Sequence, residues 1–136
     1  MSVLVDTPVW SELLRRRIAS RPADDGVRIA LRLLVEDGDA MMIGPIRQEL
    51  LSGIKDVGQV ERLRLALRAF SDEPLESADY ETAADFFNRC RSAGVQGSNT
   101  DFLICAASVR RSAPVFTLDR DFELFARVVP IQLYRP

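Results

Sequence analysis

"SVLVDTPVWSELL", residues 2–14, is the stretch whose reading decides the fold. "SVLV" is a β-branched apolar run of strand length, and a helix start follows it with no loop between. Thr7 and Pro8 open that helix. Proline is tolerated there because an N–H in the first turn has no intrahelical acceptor anyway. A strand that delivers directly into a helix is half of a βα unit. The rest of the chain shows whether the unit repeats.

It does. Val27, Ala30, Leu31 and Leu34 recur at helical spacing over about 24–36, and Gly38 stops the run. "AMMIG" (40–44) is a second strand, and Pro45 starts a helix to about Gly53. Val57, Val60, Leu63 and Leu67 mark another helix, which ends before Pro74. Ser77 begins a helix carrying Ala83, Phe86, Phe87 and Cys90, terminated by Gly94, and Ser98 or Asn99 caps the one after it. "APVFTLD" (113–119) is a third strand, 121–127 a short helix, and "IQLY" (131–134) a closing strand. Strands separated by helices pair in parallel through crossovers. The expectation is therefore an α/β fold, a three-layer α/β/α sandwich around a central parallel sheet. No repeat, linker or low-complexity stretch divides the chain, so residues 1–136 read as one domain.

The totals narrow the function. The 136 residues are 47% hydrophobic, enough for a real core, and no apolar run approaches the ~18–20 residues of a membrane helix. The N-terminus lacks the basic and long apolar regions of a secretory leader, which predicts a cytoplasmic protein without membrane association. Cys90 and Cys105 lie singly in apolar helical patterns, so two reduced core thiols are expected. There is no histidine, which excludes any unaided Ser–His, Cys–His or His-based acid–base mechanism. A catalyst here works with carboxylates, hydroxyls or arginine. Twenty acids oppose 18 bases, so no global basic field attracts nucleic acid. Of those bases 17 are Arg, with Lys55 the only lysine.

Four acids occupy unexpected places. Asp6 and Asp119 directly follow strands, and in open parallel sheets ligands sit in the crevice outside the carboxyl ends of the strands. Either could instead serve only a helix cap or a solvated turn, and Asp121 stands close enough to replace Asp119. In "PIRQELLSGI" (45–54), Glu49 shares helical spacing with Ile46, Leu50 and Gly53, which places it in or beside the apolar stripe. Asp101 falls in line with Ile104, Cys105 and Ser108 at i, i+3, i+4, i+7. The helix dipole favours an anion in a first turn, but not its alignment with apolar residues. Four carboxylates in one crevice repel unless some are protonated or a cation joins them. A hard divalent ion, Mg²⁺ or Mn²⁺, resolves this with oxygen ligands and suits phosphodiester hydrolysis without histidine.

Four segments also carry a resemblance. "VLVDTPVWSELL", "IGPIRQELLSGI", "GSNTDFLICAAS" and "PVFTLDRDF" resemble, in order and spacing, the acidic motifs of PIN-domain ribonucleases, most of all the VapC toxins of type II toxin–antitoxin pairs. The match runs from residue 3 to about 122. Carried over by position, Asp6, Glu49, Asp101 and Asp119 are the catalytic and metal-binding acids, with Asp121 the alternative for the fourth. Thr7, Asn99 and Thr117 match supporting polar positions. The resemblance implies a Mg²⁺- or Mn²⁺-dependent endoribonuclease that cuts single-stranded RNA to leave a 3′-hydroxyl. It further implies a homodimer inhibited by a VapB-type antitoxin whose arginine competes for the acids.

RNA approaching an acidic site needs local arginines for its phosphates, and Arg15 within "LLRRR" (13–17), Arg47 and Arg120 are candidates, as are Arg110 and Arg111. Trp10 reads as a core or dimer-contact residue. A dehalogenase-like site is disfavoured because Pro8 replaces its second Asp, and a receiver-like site because Lys55 is the sole lysine. A non-catalytic metal- or partner-binding module stays open.

Overall fold

A computed structural model describes residues 1–14 and 22–136. Arg15 and the end of the first helix, expected near Arg17, lie outside the described residues. Strand β1 (Val3–Val5) is wholly buried and passes through Asp6 alone into α1 (Thr7–Leu14). Helix α2 (Pro22–Glu36) follows and ends near Gly38, whose φ of 74° is open to glycine at no steric cost. Strand β2 (Ala40–Met41) leads into α3 (Gly44–Leu51), with proline in its first turn as expected. Then come α4 (Val57–Leu67), α5 (Ser77–Ser92), α6 (Asn99–Arg111), β3 (Val115–Phe116) and α7 (Asp121–Phe125).

The sheet order is β2-β1-β3, all parallel, with Leu4 opposite Met41 on one side and Val115 on the other. Helices flank this central parallel sheet, so the expected α/β architecture stands. Two edges differ from expectation. The closing strand at 131–134 is reduced to a single parallel bridge between Val115 and Leu133. Strand β3 is only two residues long and offers that edge just one residue's groups: the Val115 N–H donates to Gln132 O, and Val115 O accepts from Tyr134. At the opposite edge an unanticipated bridge joins Met42 to Asp72.

The core settles two further expectations. Trp10 is fully buried, packs edge-on against Phe70 at 4.8 Å and donates its indole N–H to Val5 O, so it is a core residue. Both cysteines are buried and free. Helix α6 is buried continuously from Phe102 to Ser108, which makes it a central helix rather than one with a single inward stripe. It packs most extensively against α5.

Candidate active site

The carboxyl end of β1 is where the site assembles. The Asp6 N–H donates to Phe116 O at 2.9 Å, which continues the pairing with β3 by one residue, while Asp6 O accepts the N–H groups of Val9 and Trp10 as α1 begins. This switch from strand to helix leaves the Asp6 side chain only 6% exposed at the mouth of the sheet. Its Oδ1 accepts the Thr7 N–H at 2.8 Å and its Oδ2 accepts the Thr117 hydroxyl at 2.7 Å. Burial pushes the Asp6 carboxyl up from 3.8 to about 6, helped by the negative charges of Glu49 and Asp101, while the two hydrogen bonds pull it back down.

Glu49 takes the second of the two positions that its spacing allowed. Helix α3 buries Ile46 and Leu50, and Glu49 is exposed beside that stripe rather than within it. The apolar contact of this short helix is narrow, so one helical step carries Glu49 into solvent. Its Oε1 nonetheless accepts the Thr7 hydroxyl at 2.8 Å. Thr7 thus ties two acids together, its N–H holding Asp6 and its hydroxyl holding Glu49.

Asp101 is half-buried at the third position of α6 and has a structural role as well. Its Oδ2 accepts the Ser98 N–H at 2.9 Å, while Ser98 Oγ accepts the Asp101 N–H at 3.1 Å, a reciprocal capping box. Ser98 is therefore the cap, and exposed Asn99 is the first helical residue. Burial pushes the Cys105 thiol up, with the charge of Asp101 the next contributor, which places that carboxylate's field along the inner side of α6.

Asp119 stands one step further out. The chain leaves the sheet after Phe116, so strand alternation does not extend to Asp119 as the sequence suggested. A turn replaces it: the Asp119 N–H donates to Thr117 Oγ1 at 3.0 Å, and Asp119 Oδ1 accepts the Asp121 N–H at 2.9 Å. Thr117 hence links Asp119 to Asp6, whereas Asp121 is exposed at the start of α7.

The structure brings Glu49 and Asp101 within electrostatic reach of Asp6 and attaches Asp119 through Thr117. It does not clench them. Among the described residues no three Asp, Glu, Cys or His side chains form a ready metal cluster. Each acid is turned to a protein donor instead: Asp6 to Thr7 and Thr117, Glu49 to Thr7, Asp101 to Ser98 and Asp119 to Asp121. This donor set still fits a hard divalent cation. It consists of oxygens alone, it surrounds a carboxylate that burial and like charges disfavour as an anion, and Mg²⁺ needs only one or two carboxylates with waters.

The arginine expectations change more. Arg47 is committed inside the fold: its Nε donates to Asp72 at 2.9 Å, and its other nitrogens donate to the carbonyls of Leu67 and Phe70. A guanidinium whose fork is filled by α4's end has no face left for phosphate. Arg110 and Arg111 are likewise engaged, both reaching Asp79 at 2.7 Å. Arg120 is exposed at the start of α7 and makes no side-chain hydrogen bond among the described residues.

Asp79 itself escaped the sequence reading. It is fully buried, receives a bidentate Arg111 fork, and caps α5 by accepting the Glu76 N–H at 2.7 Å. The signal was present, because Asp79, Ala83, Phe86 and Cys90 repeat at the same helical spacing that singled out Asp101. Glu12 in α1 is another buried acid that spacing did not flag.

Residues 3–128 match the PIN domain family. The chain is 30% identical over 134 residues, 96% of each chain, to "Ribonuclease VapC11" of Mycobacterium tuberculosis. Its fold superimposes with a TM-score of 0.77 on a chain of FitAcB from Neisseria gonorrhoeae (20% identity, covering 98% of this chain and 97% of that one). It superimposes with a TM-score of 0.74 on a chain of VapBC2 from Rickettsia felis, solved bound to a promoter DNA fragment (16% identity, covering 98% of each). A family match over nearly the whole chain and a relative at 30% identity agree: this chain belongs to the PIN-domain family.

Proposed function

We propose that this protein is the toxin of a type II toxin–antitoxin pair, an endoribonuclease that hydrolyses RNA at a carboxylate-bound Mg²⁺ or Mn²⁺. The observation that carries the reading is Asp6, held through both oxygens, whose carboxyl burial pushes up to about 6 with help from the charges of Glu49 and Asp101. Structural economy alone does not favour such a residue, since a buried acid beside two more acids costs stability. A cation offsets that cost. The relatives named as ribonucleases support the activity, and neighbours that are toxin–antitoxin complexes support a VapB-type antitoxin as partner.

Asp6 and Asp101 are the principal ligands in this reading, with Glu49 and Asp119 completing the site directly or through water. Bound there, the ion would supply charge neutralisation at the phosphodiester and lower the pKa of attacking water. The chain's own residues prepare the reaction. Thr117 and the Thr7 N–H fix the Asp6 oxygens. Glu49 engages Thr7 through Oε1, which leaves Oε2 available to a water molecule. A water oxygen bonds to phosphorus as the bond to the ribose 3′ oxygen breaks; that oxygen takes a proton and departs as a 3′-hydroxyl, leaving a 5′-phosphate. Arg120, and Arg15 outside the described residues, remain the arginines proposed to hold flanking phosphates. A homodimer acting in the cytoplasm, and a single domain over residues 1–136, complete the proposal. Among the described residues no helix is long and apolar enough to cross a membrane.

The test is RNA cleavage by purified protein with Mg²⁺, with Mn²⁺ and with chelator, beside Asp101→Asn prepared identically. Metal-dependent cleavage that vanishes in the variant is expected. Equal cleavage by both proteins would overturn the assignment. Metal binding with RNA left intact in all arms, antitoxin having been removed, would favour a non-catalytic module.

A further inference from the structure

A cavity of about 480 Å³ opens between α3, α5 and α6, well within the ~300–1,000 Å³ of small-molecule pockets. It adjoins the acids without including them. Gln48 on its wall is the chain neighbour of Glu49, and Asn99 and Thr100 share the first turn of α6 with Asp101. The wall and two of the acids thus occupy neighbouring positions of the same helices, α3 and α6.

The lining has a definite chemistry. No charged side chain is part of it. Tyr80 presents an aromatic ring that is 54% exposed, and half-buried Phe87 sits below, braced edge-on by Phe102 at 5.5 Å. Three amides, Gln48, Asn88 and Asn99, surround these rings, and none of their side chains makes a hydrogen bond among the described residues. An aromatic platform ringed by groups that both donate and accept is what an unstacked nucleobase requires. A phosphate finds no cation there, and the neighbouring acids repel it. A purely apolar ligand would leave the amides unused.

We infer that this cavity is a nucleobase subsite, in which a base adjoining the scissile phosphate stacks on Tyr80 and is read by the amides of Gln48, Asn88 and Asn99. The inference rests on the proposed ribonuclease activity and deepens it, because it locates base selection on α5 and the first turn of α6 rather than on the acids. Those amides can match the hydrogen-bonding edge of a base but carry no charge with which to bind backbone. Affinity for base then comes mostly from the ring, since stacking tolerates any base while the amides discriminate.

The test measures binding in chelator, so that RNA stays intact, using short single-stranded homopolymers of each base and an abasic ribose-phosphate oligomer of equal length. Wild type is expected to prefer base-bearing over abasic RNA by about tenfold or more. Tyr80→Ala should erase that preference, Tyr80→Phe should keep it, and Asn88→Ala should change the ranking among the four bases while leaving the preference itself. Tyr80 is exposed, so its variants keep the fold, with circular dichroism as the check. No base preference in wild type, or a preference untouched by Tyr80→Ala, would overturn the subsite. So would a Tyr80→Ala protein whose only change is a smaller assembly by sedimentation, because the face would then be a subunit contact. Base preference lost with Tyr80→Ala but no metal-dependent cleavage by wild type would uphold the subsite while the ribonuclease reading fails.

Discussion

The Thr117 hydroxyl donates to Asp6 Oδ2 at 2.7 Å across 111 positions of sequence, and Thr117 Oγ1 in turn accepts the Asp119 N–H at 3.0 Å. One hydroxyl therefore orients the buried acid of the site and holds the turn that brings the fourth acid beside it. Thr117→Val keeps the shape and removes both bonds. We predict that cleavage falls by ~10–100-fold, as for other residues that orient a metal ligand. Stability should drop by ~1–3 kcal/mol from the unsatisfied groups. Unchanged cleavage with normal metal affinity would show that the hydroxyl is incidental.

The raised Asp6 carboxyl makes stability depend on pH and on metal together. Its value is about 6 in the fold against an ordinary 3.8, so the folded state favours the protonated form. That stability is fully present below pH ~4 and is lost as pH rises through about 6, a change of about 3 kcal/mol. Metal-free protein should accordingly melt lower at pH 7.5 than at pH 5 by several degrees on this account, and Asp6→Asn should flatten the trend. Added Mg²⁺ should raise the melting temperature more at pH 7.5 than at pH 5. Scanning calorimetry across pH, with and without metal, measures both, and an identical pH trend in Asp6→Asn would refute the assignment.

Asp101 has a structural partner and a proposed chemical role, and two substitutions separate them. Ser98→Ala removes the cap hydroxyl and should cost ~1 kcal/mol while cleavage per folded molecule persists. Asp101→Asn retains an oxygen for the Ser98 N–H, so the fold should survive while cleavage falls to background. Parallel denaturation and cleavage assays make the comparison. Loss of activity in Ser98→Ala equal to that in Asp101→Asn would mean that the helix start, not the carboxylate, is what matters.

Away from the site, Asp79 should dominate acid sensitivity. The Arg111 fork holds its carboxyl well below the usual carboxylate range. Its contribution is present above pH ~4 and declines as pH falls toward the depressed value. Asp79→Ala removes the bidentate partner of Arg111, leaving it Glu73 and the carbonyls of Ala107 and Pro74, and should destabilise by ~1.5–3 kcal/mol. Urea denaturation at neutral pH checks this, with RNA cleavage by the remaining folded protein unchanged. A loss under ~1 kcal/mol would reduce the pair to a surface contact.

Much of this was legible in residue order because it depends on local chemistry. Short apolar runs before Thr7-Pro8 and Gly44-Pro45 specify strand-to-helix junctions by local backbone preference, and both appear where expected. Asp6 could be placed at a strand end for the same reason. Spacing failed where burial was not one-sided. Helix α6 is buried all round, so alignment with Ile104 and Cys105 does not mark Asp101 out, and narrow α3 leaves Glu49 in solvent. The same spacing rule passed over Asp79.

Sequence by itself determined the alternation of strands and helices, the absence of histidine chemistry, and the order of the four candidate acids along the chain, since each follows from residue identity and short-range geometry. Tertiary structure alone decided which charges are free to act. Arg47 looked available and is consumed by Asp72 and two carbonyls; Arg110 and Arg111 are consumed by Asp79. Thr117 reaches Asp6 only because β3 lies beside β1. A charged side chain takes its role from whichever partner folding brings within ~3 Å, and partners 20 to 111 positions away leave no trace in local pattern.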